Sequence, residues 1–172
     1  MKRRGFLGLT AAAFATGCLG GSGPSDEEWD NIRGYSREMS DHLEDVREDL
    51  VSWRDDSDSV SADTFRDHAQ GVRDIRDEYP LPDPEDVEEW RFDVSREDED
   101  DDESWRVQGE DLDEALLEMA RADDSAERAC DGIADADGDP DELSGGDEDA
   151  VDDAIDDIPD AVDGIRELVF GT

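Results

Sequence analysis

Carboxylates dominate the residues of this chain that could do chemistry: Asp and Glu make up 55 of 172 positions. The most suggestive grouping is Asp135-Ala136-Asp137-Gly138-Asp139-Pro140-Asp141-Glu142, in which aspartates alternate as they do around a bound calcium ion. An EF-hand loop needs acids at its first, third and fifth positions, glycine at the sixth for the turn, and a bidentate Glu at the twelfth. Counted from Asp135, the sixth position is Pro140 and the twelfth is Gly146, so the turn and the closing ligand are both wrong. Where acids are this frequent such a string arises by chance; the expectation is loose cation association and no dedicated metal site. His42 and His68 are the only histidines. Neither belongs to a His-x-x-x-His or Glu-x-x-His pattern, which removes the carboxylate-bridged two-metal arrangement of some helical bundles. His68 falls on the apolar face of its helix and reads as a buried histidine bonded to a nearby carboxylate. There is no Gly-x-Ser-x-Gly elbow, no phosphate-cradling glycine loop and no Cys-x-x-Cys-His for haem. The expectation is a chain with no catalytic residue and no cofactor.

The charge itself is informative. The formal net charge is −39, and Lys2 is the single lysine, so arginine supplies nearly every strong base. Such a chain is either disordered, unable to bury enough apolar surface to offset ordering entropy, or folded in concentrated salt. At about 1 M salt the Debye length shrinks to roughly 3 Å and self-repulsion is largely screened. Apolar residues recur at helical spacing almost throughout, which a solvated tail has no reason to do, and this favours a folded, salt-adapted domain. A surface this negative repels nucleic-acid phosphates and anionic headgroups, so nucleic acid is excluded as a partner. Cations and cationic partners remain, with no protein partner identified.

The first residues carry a different signal. Lys2-Arg3-Arg4 is a positive n-region, residues 6–15 are an apolar stretch of about ten residues, and Ala15-Thr16-Gly17 are small residues before Cys18. The apolar stretch is well short of the roughly 20 residues that span a bilayer as a helix, so it reads as a cleavable signal. Arg3-Arg4-Gly5-Phe6-Leu7-Gly8 resembles the twin-arginine (Tat) export motif, with Arg3, Arg4, Phe6 and Leu7 in its key positions. Ala15-Thr16-Gly17-Cys18 resembles a lipobox, with Ala15 where leucine is usual. Together with the acidic remainder, these features look like the Tat-exported surface lipoproteins of haloarchaea. The resemblance covers about one ninth of the chain and implies passage through the Tat machinery, cleavage after residue 17 and lipid attachment at Cys18. It further implies a protein held on the extracellular face of the cell membrane. Leu19-Gly20-Gly21-Ser22-Gly23-Pro24-Ser25 follows as a flexible tether. With Cys18 lipidated, Cys130 has no disulfide partner; it sits in an apolar helical seam, where a free cysteine behaves as a small hydrophobe.

Residues 26–170 must then form the acidic domain. Four seams recur at threes and fours: Trp29, Ile32, Met39, Leu43, Val46, Leu50 and Trp53, with Ser36 at the missing step; Phe65, His68, Val72, Ile75 and Tyr79; Leu112, Leu116, Met119, Ala122, Ala126, Cys130 and Ile133; and Val151, Ile155, Ile158, Val162, Ile165 and Leu168. Pro24-Ser25 and Ser61 mark helix starts, Tyr79-Pro80 and Asp139-Pro140 mark stops, and Pro159 interrupts the last helix. The predicted fold is all-α, an antiparallel four-helix bundle-like domain. Residues 84–109 are an insertion, either irregular or a β-hairpin, because residues 90–94 and 105–108 alternate apolar and polar around the seven acids of 97–103. Trp90 and Trp105 lie in that insertion; exposed, they would mark a partner surface, and otherwise they pack over one end of the bundle. The expected role is non-enzymatic binding or envelope interaction, with a cation- or small-ligand-binding accessory of a transporter or redox system as the alternative.

Overall fold

A computed structural model describes residues 23–95 and 104–171. The leader, Cys18 and the first part of the tether lie outside the described residues, as does the acidic run 97–103. The domain is mostly helical, with five helices and one two-stranded antiparallel sheet.

Helix α1 spans Asp26–Asp55 and starts on a capping box: Ser25 Oγ accepts from the Glu28 N–H, and the Glu28 carboxylate accepts from the Ser25 N–H at 2.7 Å. The hydroxyl of Ser25 holds the Glu28 carboxyl below its ordinary value. Its seam from Ile32 to Trp53 is buried as the spacing predicts, Ser36 included. Helix α2, Ala62–Glu78, is capped by Ser61 and buries Phe65, Ala69 and Val72. Helix α3 is a single short turn, Pro84–Glu88, begun by Asp83 and a proline at its first position.

Strands β1 (Arg91–Ser95) and β2 (Ser104–Gln108) form the hairpin, with Phe92 opposite Val107 and Val94 opposite Trp105. Alternation puts these four residues on the face turned to the helices. Asp93 and Arg106 sit opposite each other on the outer face and pair at 2.9 Å. The hairpin option for this segment is therefore the one realised. β2 runs without a loop into helix α4, Gly109–Asp135. Only glycine fits that junction: the Gly109 N–H donates to the Trp90 carbonyl at 2.8 Å, and a Cβ there would overlap the Val87 carbonyl oxygen.

Helix α5, Gly145–Phe170, is capped by Ser144 and ends at Gly171 in the left-handed region. Pro159 lies inside it. A proline lacks the N–H that the carbonyl four residues back would accept, here that of Ile155. Arg47 of α1 takes up the orphaned oxygen, its Nε donating to the Ile155 carbonyl at 3.0 Å.

Helices α1, α2, α4 and α5 supply nearly the whole core. α4 lies against α5 and α2, and α1 lies against the same two, with only a thin diagonal contact between α1 and α4. Cross-helix pairs fix the directions. Tyr79 meets Glu38 while His68 meets Asp49, so α1 and α2 run antiparallel. Arg73 meets Asp131 while Arg76 meets Asp123, so α2 and α4 do too. The hairpin covers the end where α1 begins and α5 finishes: Phe92 packs edge-on to Trp29, and Trp105 Nε1–H donates to the Leu168 carbonyl at 2.8 Å.

Candidate functional site

The residues singled out by chemistry take mostly structural positions. In the aspartate string, Asp135 ends α4, and the next residues build a left-handed helix stop in which the Gly138 N–H donates to the Ile133 carbonyl at 2.9 Å. Asp137 and Gly138 both take positive φ in that stop, 51° and 83°, and aspartate is among the few residues other than glycine tolerated there. Asp139 caps the 3-10 turn Pro140–Glu142 through the Asp141 N–H. The alternation thus follows backbone duties spaced two residues apart. Among the described residues no three His, Cys, Asp or Glu side chains converge as metal ligands.

The two histidines face each other from α1 and α2, ring centroids 5.3 Å apart. His42 Nε2–H donates to the His68 carbonyl at 2.9 Å, and its ring lies over Gly71. His68 Nε2 bonds the Asp49 carboxylate at 2.8 Å with its side chain only 13% exposed, as the sequence pattern implies. Cys130 is fully buried, and burial pushes its thiol well above the ordinary range, with Asp131 and Asp49 adding to the shift. A thiol held protonated in this way is a poor nucleophile.

The most unusual chemistry lies between α1, α2 and α4. Asp123 is 2% exposed, in the seam of α4. Its carboxylate accepts from the Tyr35 hydroxyl at 2.7 Å and from Arg76 Nη2 and Nε at 2.6 and 3.1 Å. Arg76 continues to Glu127, Glu127 accepts from Arg73 at 2.6 Å, and Arg73 reaches Asp131. Three acids one turn apart on α4 thus interlock with two arginines three apart on α2, and Tyr35 closes the buried end. Burial pushes the Asp123 carboxyl up, against the hydrogen bonds from Arg76 and Tyr35 that pull it down. Tyr35 is pushed up by burial and by the neighbouring carboxylate, and Arg76 by its hydrogen bond to Asp123. Sequence reasoning missed this ladder. Its signal was present: four residues beyond Met119, where the seam expects an apolar side chain, stands Asp123.

Trp90 is 5% exposed and packs in the core, and Trp105 is half-buried with its indole N–H occupied by Leu168. The pair therefore packs over one end of the helices and forms no exposed apolar patch, because hairpin alternation turns Val94, Trp105 and Val107 inward together. Leu117 is the only large apolar side chain exposed among the described residues, at 49%. Two clefts remain. One of about 580 Å³ lies between the α1–α2 connection and the α4–α5 turn, with Asp58, Asp63, Asp137 and Asp139 in its wall. The other, about 470 Å³, runs between α1 and α5 over Ile158, Pro159 and Val162.

No helix of the described residues is long and apolar enough to cross a membrane. Cys18, Arg3, Arg4, Phe6 and Leu7 lie outside the described residues. Comparison with known proteins finds no matching family model, no matching curated protein and no matching solved structure.

Proposed function

We propose that this chain is a Tat-exported lipoprotein, anchored through Cys18 on the outer face of a cell membrane, whose acidic domain has a non-enzymatic binding or envelope-interaction role in a salt-rich medium. Its domain is an antiparallel four-helix bundle with a hairpin across one end. The observation that carries the reading is the order of the leader: paired arginines, Phe6-Leu7, a short apolar stretch, and Gly17-Cys18. Gly23 lies beside Phe92, where an added Cβ would come within 3.3 Å of the Phe92 Cβ, so the tether enters the domain at the hairpin end. The seven Cα–Cα steps from Cys18 to Ser25 reach at most about 25 Å, which keeps the hairpin end near the membrane. The opposite end stands farther out by the length of α1, roughly 45 Å for its helical rise. The test is fractionation of cells carrying the full chain. Cys18→Ser should move the exported domain from membrane to medium, and Arg3→Lys with Arg4→Lys should hold it inside. Membrane retention of the Cys18 variant would remove the anchor, and undiminished export of the double variant would remove the Tat route.

A second reading, a cation- or small-ligand-binding accessory of a transporter or redox system, is favoured by one observation. The cleft walled by Asp58, Asp63, Asp137 and Asp139 lies at the end turned away from the membrane.

A further inference from the structure

A two-stranded sheet has an outer edge on each strand, and the two edges of this hairpin differ. The Gly109 N–H donates to the Trp90 carbonyl, so residues 90 and 109 are a hydrogen-bonded pair; alternation makes 92 with 107, and 94 with 105, the next such pairs. The main-chain N–H and C=O groups of Arg91 and Asp93 therefore point away from β2, along the outer edge of β1. Those of Ser104, Arg106 and Gln108 line the outer edge of β2. Among the described residues no hydrogen bond reaches the outward main-chain groups of Arg91 and Asp93. β2 is the strand set against the helices, continuous with α4 and bonded through Trp105 to α5, which leaves β1 as the outer strand. Arg91 and Asp93 are both exposed, and Phe92 between them is half-buried on the inner face.

Charges on an open edge ordinarily block pairing, because a second copy brings like against like. β1 carries opposite charges two residues apart, and in one register this reverses the effect. Antiparallel pairing of β1 with β1 of a second copy, centred on Phe92, sets Arg91 of each chain opposite Asp93 of the other. Each of these is a hydrogen-bonded position, so the outward N–H and C=O groups are answered, and the two Phe92 side chains meet across the axis. Centring on Arg91 or on Asp93 would instead set like charges face to face. Asp93 already holds Arg106 of its own chain, and a carboxylate has lone pairs for a further guanidinium. The edge of β2 offers no such match, since Ser104, Arg106 and Gln108 bring charge of one sign only.

We propose that the outer edge of β1 is a self-association surface, pairing antiparallel about Phe92 with the same edge of a second copy to give a two-fold dimer with one continuous sheet. Main-chain bonds supply the affinity and the Arg91–Asp93 pairs supply the register. Chains with a formal net charge of −39 repel one another, so the dimer belongs to concentrated salt, where the screening length falls to roughly 3 Å at about 1 M. The paired edge is short beside the roughly 1,200 Å² of a stable interface, so the dimer is weak and exchanges readily.

Disulfide trapping in concentrated salt, on the full chain carrying Cys18→Ser, tests both surface and register. Cys130 is buried and stays out of the reaction. Hydrogen-bonded partners in an antiparallel ladder stand about 5.5 Å apart at Cα, within reach of a disulfide. An equimolar mixture of Arg91→Cys and Asp93→Cys chains should form a covalent dimer, and neither variant alone should, because position 91 faces 93 and neither faces itself. Both positions are exposed, so the variants keep the fold. Sedimentation equilibrium gives a second reading. Arg91→Asp should weaken the dimer about threefold or more, as two cross-strand attractions become repulsions. Arg121→Asp, the same change of charge at an exposed position on α4, should leave it in place. Equal trapping of single variants and mixture would overturn the proposal, as would equal weakening by the two charge reversals. Preferential trapping of Asp93→Cys with Arg106→Cys would replace it by pairing of β1 with β2 of the next copy, and no trapping in any combination would remove the surface itself.

Discussion

Replacing Arg76 with methionine leaves the Asp123 carboxylate buried with no countercharge except the dipole of the Tyr35 hydroxyl. Removing one partner of a buried pair costs about 3–5 kcal/mol, because the survivor keeps its desolvation penalty. Arg76 is itself a third exposed, which places the expected loss near the lower bound, about 3 kcal/mol. Tyr35→Phe removes one hydrogen bond to a charged group and should cost about 2 kcal/mol. The triple variant Tyr35→Phe, Arg76→Met, Asp123→Leu removes every buried polar partner at once and should lie within about 1 kcal/mol of the parent. Glu127 keeps Arg73 in each case. Urea titration at fixed high salt, followed by tryptophan fluorescence, measures all three. pH supplies an independent check. A buried acid with a raised folded pKa binds its proton more tightly folded than unfolded, so its contribution to stability rises as pH falls. Loss of Arg76 raises the Asp123 pKa further, so the deficit of Arg76→Met should shrink on acidification, down to the unfolded aspartate value of about 3.9. A loss under about 0.5 kcal/mol for Arg76→Met, or a triple variant as unstable as the single one, would refute the account of the ladder.

Two further outcomes follow from local geometry. A Cβ on Gly71 would stand 2.6 Å from His42 Cε1, on a ring pinned to the His68 carbonyl, so Gly71→Ala should destabilise by about 1–2 kcal/mol once its gain in helix propensity is counted. At Gly164 the nearest atom is the end of Glu118 at 4.0 Å, so Gly164→Ala should stabilise by up to about 1 kcal/mol; a raised urea midpoint for Gly71→Ala would contradict the first expectation and a lowered one for Gly164→Ala the second. Calcium titrated calorimetrically in high monovalent salt should show no saturation below about millimolar. A tight isotherm lost in Asp137→Asn would instead bring the accessory-lipoprotein reading to the front.

Helix positions were legible in the sequence because each seam repeats the period of the helix and, except at α4, each long helix starts on a side-chain cap. Ser25, Ser61 and the left-handed stop after α4 act on neighbours within a few residues, so local chemistry places them whatever the tertiary fold. His68 on its apolar face already implied a carboxylate partner, and Cys130 in its seam already implied burial. Leader and anchor are wholly sequence-level readings, resting on residues before Gly23. The choice at residues 84–109 was not local. Val87, Trp90 and Val94 fit a helix as well as a strand, and what decides is the close junction at Gly109 together with the pairing of Val94 with Trp105. That pairing also sends Trp105 against Leu168 instead of into solvent. The ladder likewise needs three helices: Asp123 in isolation is a flaw in a seam, and only Arg76 and Tyr35, 47 and 88 residues away, make its burial tolerable. The same holds at Pro159: the Ile155 carbonyl that it leaves without a donor is answered by Arg47, 108 residues from Ile155. Sequence by itself thus determined where helices begin, end and turn apolar. Which polar groups are buried, and what satisfies them, was decided by tertiary structure, because burial and hydrogen bonding are properties of pairs that periodicity cannot see.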